Sequence, residues 1–247
     1  RDGDDYIING SKVFISGAGA TDMLVVMTRT GSVEDGARGI TAFAIPSDTT
    51  GVSFGKNEHK MGWNSQPTRT ITFDNVRVSA ENRLGQEGEG FKIAMLGLDG
   101  GRINIASCSL GAAQACLTLT AEYLKDRRQF GQSLDQFQAL QFRLADMGTE
   151  LVAARQMVRL AAWKIDTNHP DKVTYCAMAK RFATDVGFNV CNEALQMHGG
   201  YGYLKEFPIE RYLRDTRVHQ ILEGTNEIMR VIAARRLLTD NGTEDIL

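Results

Sequence analysis

The residue with the clearest chemical potential in this sequence is Glu223, which stands between Leu222 and a Gly-Thr pair. Gly224 and Thr225 are typical of a helix start, where the helix dipole favours a carboxylate. A carboxylate that apolar neighbours partly remove from water is also typical of a general base. Taken alone, Glu223 fits either a structural or a catalytic role.

Three further segments contain residue types that bind ligands, and each has a plain structural alternative. Residues 126–131 read Asp-Arg-Arg-Gln-Phe-Gly, which fits a guanidinium clamp for phosphate or a charge cluster at a helix end. Residues 196–203 read Gln-Met-His-Gly-Gly-Tyr-Gly-Tyr. Their glycines let backbone approach a ligand closely, and they also stop a helix. Residues 14–16, Phe-Ile-Ser, end a predicted strand and fit either a flat cofactor or the core and a turn.

Composition narrows the class of protein. The chain has 247 residues, a formal net charge of −2 and no dense run of Lys or Arg, so we expect no nucleic-acid partner. No apolar run approaches the ~20 residues that span a bilayer, so no transmembrane segment is predicted. The four cysteines form no CxxC pair, and His198 has no second ligand at suitable spacing. We therefore expect free thiols and no metal site.

The hydrophobic pattern changes near residue 85. Before this point, β-branched and aromatic runs separated by Asn-Gly, Asp-Gly or Pro predict strands at residues 5–8, 12–16, 23–29, 40–45, 52–56 and 69–76. After it, apolar residues at spacings of three and four predict helices at about 90–126, 137–165, 171–197 and 224–238. The predicted fold class is α+β: a partial antiparallel β-barrel over residues 1–85, followed by an antiparallel four-helix bundle over residues 86–247.

In this order and on this layout, the four segments strongly resemble the acyl-CoA dehydrogenase family over essentially the whole chain. The resemblance implies an FAD-dependent enzyme that forms an α,β-enoyl-CoA, with Glu223 taking the α-proton while the β-hydride goes to flavin N5. It implies that the thioester oxygen accepts hydrogen bonds from the backbone N–H of Glu223 and a flavin ribityl hydroxyl. It also implies that the family's N-terminal helical domain is absent here, so we expect this chain alone to be incompetent.

The resemblance assigns roles to further residues. FAD would be bound, partly across a subunit interface, by Phe14, Ile15, Ser16, Arg127, Phe137, Gln138, Gln196, Met197, His198, Gly199, Gly200, Thr225, Asn226 and Glu227. The acyl-CoA would be bound by Asp99, Gly100, Gly101, Arg102 and Arg235. In the isovaleryl and long-chain branches the base stands directly before the Arg, at the position of Gly101. Glycine cannot act as a base, so proton abstraction falls on Glu223.

Residues 62–69 and 100–110 are more similar to the isobutyryl-CoA dehydrogenase branch than to the short-chain or 2-methyl-branched ones. The resemblance therefore implies conversion of isobutyryl-CoA to methacrylyl-CoA in valine catabolism. It further implies electron-transfer flavoprotein as the acceptor and a homotetramer, a dimer of dimers. The location would be the mitochondrial matrix in a eukaryote or the cytoplasm in a bacterium. The alternatives are a 2-methylbutyryl- or short straight-chain dehydrogenase, an acyl-CoA oxidase and a cofactor-free helical-bundle scaffold.

Overall fold

The computed structural model describes residues 1–244 and separates into two compact units, Arg1–Gly97 and the part from Leu98 onward. The strands are β1 Asp5–Ser16, β2 Met23–Arg29, β3 Ile40–Pro46, β4 Val52–Phe54, β5 Thr68–Ser79, β6 Arg83–Leu84, β7 Arg128–Gln129 and β8 Gln132–Ser133. The α-helices are α1 Gly90–Asp126, α2 Gln138–Asp166, α3 Lys172–His198, α4 Ile209–Arg217 and α5 Asn226–Leu237. Short 3-10 helices lie at Gly36–Gly39, Ala80–Asn82, Leu134–Gln136, Gly199–Tyr203 and Val218–Gln220.

The first unit contains two antiparallel three-stranded sheets, in the orders β1-β5-β4 and β2-β3-β6. Side chains alternate between faces along each strand, so Leu24 and Val26 of β2 are buried while Val25 is exposed. Residues of both sheets share one core, in which the ring centroids of Tyr6 and Phe43 lie 4.8 Å apart. The predicted fold class is confirmed, and no closed barrel exists among the described residues.

Strand β1 corrects one expectation. Asn9-Gly10 was expected to turn between two strands, but β1 runs through it and stays paired with β5. The pairing register shifts between Ile8 and Gly10, and Gly10 has φ 141°. The flexible dipeptide therefore forms a β-bulge, which bends a strand without ending it. The prediction failed because Asn-Gly signals a local irregularity of either kind.

The second unit is a bundle of the predicted long helices around a core formed by α1, α2 and α3. Gly199, with φ 59°, ends α3 as predicted. Asp171 stands at the start of α3 as predicted, but its side chain accepts a hydrogen bond of 2.7 Å from Nε of Arg236 instead of capping the helix. Neither α4 nor the β7–β8 hairpin was predicted, because both are short and polar.

By length and composition, α1 is long and apolar enough to cross a membrane, which the search for apolar runs did not predict. Ala106, Leu110, Ala113 and Cys116 of α1 lie in the buried core of the second unit. A core helix passes the same test of length and composition, so this one helix is weak evidence for a membrane span.

All four cysteines are free as predicted; Cys108 is exposed and the other three are buried.

A close contact between α1 and α3 depends on Gly187. A Cβ added at Gly187 would lie 2.8 Å from Cβ of Ser109 and 3.0 Å from its carbonyl oxygen. Ser109 cannot easily retreat, because its Oγ lies 2.7 Å from Nδ1 of His219, and both residues are buried. Burial lowers the pKa of His219 to about 4, so the imidazole is neutral at physiological pH.

We predict that Gly187→Ala destabilises the complete protein by about 1–3 kcal/mol, because the added methyl overpacks the α1–α3 contact. Gly148→Ala in α2 is the matched control, since a Cβ there meets nothing within 4 Å. The control should gain up to ~1 kcal/mol from the better helix propensity of alanine. Thermal unfolding followed by circular dichroism measures both; equal Tm values for the two variants would contradict the packing argument.

Candidate active site

Glu223 lies in a strained turn just before α5. Its φ is 56° and that of Gly224 is 85°, so two consecutive residues adopt the left-handed conformation. For a residue with a Cβ this conformation costs roughly 1–2 kcal/mol and persists where neighbouring contacts enforce it. Thr225 caps α5 by accepting a hydrogen bond of 3.4 Å from the N–H of Ile228. The helix start predicted here is confirmed, with Asn226 as the first residue of α5.

The turn is contacted by Lys180, a fully buried residue of α3. Its Nζ donates hydrogen bonds of 2.8 Å to the carbonyl oxygen of Gly224 and 2.9 Å to Oδ1 of Asn226. The amide nitrogen of Asn226 donates in turn to Oγ1 of Thr184 at 3.0 Å and Oδ1 of Asp185 at 2.8 Å. Helix α3 therefore makes hydrogen bonds to the turn on both sides of Thr225.

Sequence reasoning missed Lys180, although a signal was present. Lys180 shares a helical face with Ala177, Ala183 and Thr184, all of which are buried. A lysine at a core-facing position of an apolar helix needs a polar partner inside the protein. Burial lowers the pKa of Lys180 to about 8, against the opposite influence of Asp185, Glu223 and Glu227.

The carboxylate of Glu223 lies directly against the backbone of α1. A Cβ added at Gly101 would meet one carboxylate oxygen of Glu223 at 2.3 Å and its Cδ at 2.8 Å. At the neighbouring Gly100, an added Cβ would meet nothing within 4 Å. The half-buried carboxylate therefore occupies the space that a side chain at position 101 would fill.

The neighbouring pair Asp99 and Arg102 is a buried ion pair one turn apart on α1. Nη1 of Arg102 lies 2.9 Å from Oδ1 of Asp99, and the two residues are 5% and 7% exposed. Burial raises the pKa of Asp99, while the charges of Arg102 and Lys172 act against the rise. Nε of Arg102 is buried and has no hydrogen-bond partner among the described residues. The fifth predicted substrate residue, Arg235, is exposed on α5; contact of these residues with acyl-CoA stays a prediction.

A separate cleft of about 540 Å³ in the second unit is lined by Arg127 and by residues 196–200, which the resemblance assigns to FAD; their contact with FAD stays a prediction. The guanidinium of Arg127 lies 5.2 Å from the ring centroid of Tyr201, which lines the same cleft. Gly199 and Gly200 are exposed, so no side chain shields this stretch of backbone. The arrangement combines a cation, an aromatic face and open glycine backbone, which is suitable for a phosphate-bearing ligand.

His198 packs beneath this cleft and does not contribute a positive charge to it. The imidazole is buried, its Nδ1 lies 2.8 Å from the carbonyl oxygen of Ala194, and it stacks on Tyr123 at 4.3 Å between centroids. Burial lowers the pKa of His198, so the ring is mostly neutral at pH 7. Tyr123 is a cleft residue that the sequence did not single out, whereas Tyr201 belongs to the segment 196–203 that it did.

The remaining predicted cofactor residues are scattered. Phe137 precedes α2 and lies edge-on to Phe130, 6.3 Å between centroids, while Gln138 is exposed at the first position of α2. Glu227 is exposed at the start of α5, whereas the side chain of Asn226 is buried and bonded to α3.

Phe14, Ile15 and Ser16 lie in the first unit, at the end of β1. Phe14 is 75% exposed and has φ 55°, and the pairing of β1 with β5 is irregular between Lys12 and Ile15. Ile15 is half-buried and Ser16 is exposed. An exposed aromatic ring on strained backbone is unusual for a purely structural residue, and such strain is concentrated at ligand sites. Contact of these three residues with FAD stays a prediction.

Residues 1–76 match the family model described as "Acyl-CoA dehydrogenase, middle domain", and residues 88–238 match "Acyl-CoA dehydrogenase, C-terminal domain". The chain belongs to the acyl-CoA dehydrogenase family, whose members are flavoproteins that use FAD.

Individual relatives agree with this assignment. The mitochondrial isobutyryl-CoA dehydrogenase of Bos taurus is 56% identical over 97% of this chain and 57% of its own length. The structure of butyryl-CoA dehydrogenase from Megasphaera elsdenii superposes with a TM-score of 0.94 at 46% identity, covering 97% of this chain and 62% of that one. So does a chain from "Electron transferring flavoprotein of Acidaminococcus fermentans: Towards a mechanism of flavin-based electron bifurcation", with a TM-score of 0.94, 46% identity, and coverage of 97% and 63%. The chain thus spans less than two thirds of each of these proteins.

We predict that Gly101→Ala displaces the Glu223 carboxylate by about 1 Å or more, because the 2.3 Å approach must open to an ordinary contact. Gly100→Ala is the matched control on the same helix and should leave the carboxylate in place. Crystal structures of both variants of the complete protein measure the shift. An unmoved carboxylate in Gly101→Ala would show that Glu223 does not rest against α1.

Proposed function

We propose that the protein containing this chain is an FAD-dependent dehydrogenase of a short branched acyl-CoA thioester, converting isobutyryl-CoA to methacrylyl-CoA in valine catabolism. The observation that carries the proposal is the Glu223 carboxylate, held in a left-handed turn against Gly101. A base on a rigid, strained turn is pre-organised, so little reorganisation is needed when the proton moves.

Glu223 has two tasks in this reaction. Its carboxylate accepts the α-proton of the thioester, and its backbone N–H donates a hydrogen bond to the thioester oxygen. The second task matters because an α-C–H is a very weak acid until the carbonyl is polarised. A donor of this kind contributes about 3–4 kcal/mol in comparable sites. Both groups belong to one residue, so the turn that fixes one fixes the other.

The choice of substrate is supported by Gly101 and by the name of the Bos taurus relative. Position 101 has no side chain, so it cannot supply the base of the isovaleryl and long-chain branches, and the Glu223 carboxylate occupies the space that a side chain there would fill. Asp99, Gly100, Arg102 and Arg235 are the other residues that we propose to contact the acyl-CoA.

FAD fits the residues that the chain provides. Arg127, together with the open backbone of Gly199 and Gly200, suits the diphosphate of FAD. The other proposed contacts are Phe14, Ile15, Ser16, Phe137, Gln138, Gln196, Met197, His198, Thr225, Asn226 and Glu227. When bound, FAD supplies the two-electron acceptor for the β-hydrogen.

The partners and location follow from the same proposal. We propose electron-transfer flavoprotein as the electron acceptor, in keeping with the electron transferring flavoprotein named for the Acidaminococcus fermentans neighbour. The proposed assembly is a homotetramer, a dimer of dimers in which each FAD is shared between subunits. The proposed location is the mitochondrial matrix in a eukaryote and the cytoplasm in a bacterium.

We predict that Glu223→Gln, in the complete protein, retains FAD and binds acyl-CoA but loses flavin reduction by at least ~10²–10⁴-fold, because the amide cannot accept the proton. Glu150→Gln, an exposed residue of α2, is the matched control and should reduce at the wild-type rate. Anaerobic stopped-flow bleaching of the flavin by isobutyryl-CoA measures both. Wild-type bleaching by Glu223→Gln would remove Glu223 from the role of base.

The same instrument separates the alternatives. Isobutyryl-CoA should bleach the wild-type flavin faster than 2-methylbutyryl-CoA or butyryl-CoA, and the reduced enzyme should reoxidise slowly in air. A preference for one of the other thioesters would change the substrate, and rapid reoxidation by oxygen would indicate an oxidase. A complete protein that purifies without flavin absorption and takes up no FAD would favour the non-catalytic scaffold.

A further inference from the structure

Lys180 of α3 contacts the turn of the proposed base from inside the helical bundle. Its ammonium group donates to the carbonyl oxygen of Gly224, the residue directly after Glu223. We infer that Lys180 is a positioning residue for Glu223: its bonds to Gly224 and Asn226 keep the turn left-handed and the carboxylate against Gly101. This inference rests on the proposed function, because it gives Lys180 a part in the work of that base.

The chemistry of the contact favours a positioning role over a stabilising one. Both hydrogen bonds of Lys180 described above go to neutral oxygens. Burying an ammonium group without a directly paired carboxylate is costly, and well-packed apolar side chains often serve stability better. A buried cation in this position is therefore better explained by the geometry that it imposes on the turn than by its contribution to folding.

The two bonds of Lys180 act on opposite sides of the helix cap. Gly224 precedes Thr225 and Asn226 follows it, so one ammonium group fixes the residue after the base and the first residue of α5 together. The side chain of Asn226 is itself held by Thr184 and Asp185 of α3. A rotation of the turn would have to break the bond to Lys180, because α5 is already anchored.

The charges around Lys180 come from each element packed near it. Asp185 of α3, Glu223 in the turn and Glu227 of α5 favour the charged ammonium, while Arg102 of α1 and burial oppose it. The pKa of Lys180 is lowered to about 8, so the group is mostly positive at pH 7. Its charge acts on the Glu223 carboxylate in addition to the hydrogen bond that fixes the turn.

The test is Lys180→Met in the complete flavoprotein, because methionine fills similar space without donating a hydrogen bond. We expect the rate constant of flavin reduction at saturating isobutyryl-CoA to fall by ~10²-fold, the usual effect of misplacing a reacting group by about 1 Å. The dissociation constant for the acyl-CoA should stay unchanged. In a crystal structure of the variant, the φ of Glu223 should leave the left-handed region.

Lys164→Met is the matched control, since Lys164 is also buried but lies over the ring of Tyr175, 4.1 Å from its centroid. The control should reduce its flavin at the wild-type rate. If Lys180→Met does not fold, Lys180→Gln replaces it, because the shorter, uncharged side chain cannot reproduce both bonds. The same slow reduction is expected.

The outcomes separate this inference from the proposed function. Reduction by Lys180→Met as fast as by Lys164→Met overturns the positioning role. So does weaker acyl-CoA binding with an unchanged rate at saturation, which would indicate a substrate contact. Glu223→Gln, measured beside them, tests the function itself: if it reduces normally the function fails, and if it is inactive the function stands whatever Lys180 does.

Discussion

The left-handed backbone of Glu223 is the constraint around which the second unit is arranged. That conformation costs roughly 1–2 kcal/mol in a residue with a Cβ, whereas a hydrogen bond from a charged donor contributes about 1.5–3 kcal/mol. The bond from Lys180 to the Gly224 carbonyl is therefore large enough to hold the turn. Three helices contribute to holding the turn. Helix α3 supplies Lys180, α5 begins at the Thr225 cap, and at Gly101 of α1 no side chain separates the helix backbone from the Glu223 carboxylate.

Glycines set how closely the elements of the bundle approach each other. At Gly187, α3 lies against Ser109 of α1 with no room for a methyl group. At Gly202, an added Cβ would lie 2.5 Å from the carbonyl oxygen of Leu195, so the chain after α3 folds tightly back onto that helix. The first contact places α1 beside the helix that carries Lys180, and the second shapes the cleft of Arg127. The candidate base therefore depends on the contact of α3 with α1, and the candidate phosphate site depends on the tight fold of the chain directly after α3.

Much of this arrangement was readable from the sequence, for physical reasons that differ between elements. The long helices were predicted because their apolar residues recur every three or four positions over many turns, and Gly199 marked the end of α3. The roles of Glu223 and Gly101 were predicted from the resemblance to a family. That the two residues lie next to each other could be seen only in the folded structure. Lys180 was missed because its partners lie more than 40 positions away in sequence, and an isolated lysine in a helix is usually exposed. The turn predicted at Asn9-Gly10 was wrong because the Asn-Gly dipeptide occurs both in turns and in β-bulges.

The central claim is that the Glu223 turn aims a carboxylate at the α-carbon of a thioester. The most direct measurement is a crystal structure of the complete protein with FAD and a non-reactive isobutyryl-CoA analogue. The account predicts a positive φ at Glu223 and a carboxylate oxygen about 3–3.5 Å from the α-carbon, the separation expected of reacting atoms. A complex in which Glu223 leaves the left-handed region, or in which another carboxylate lies against the α-carbon, would contradict it.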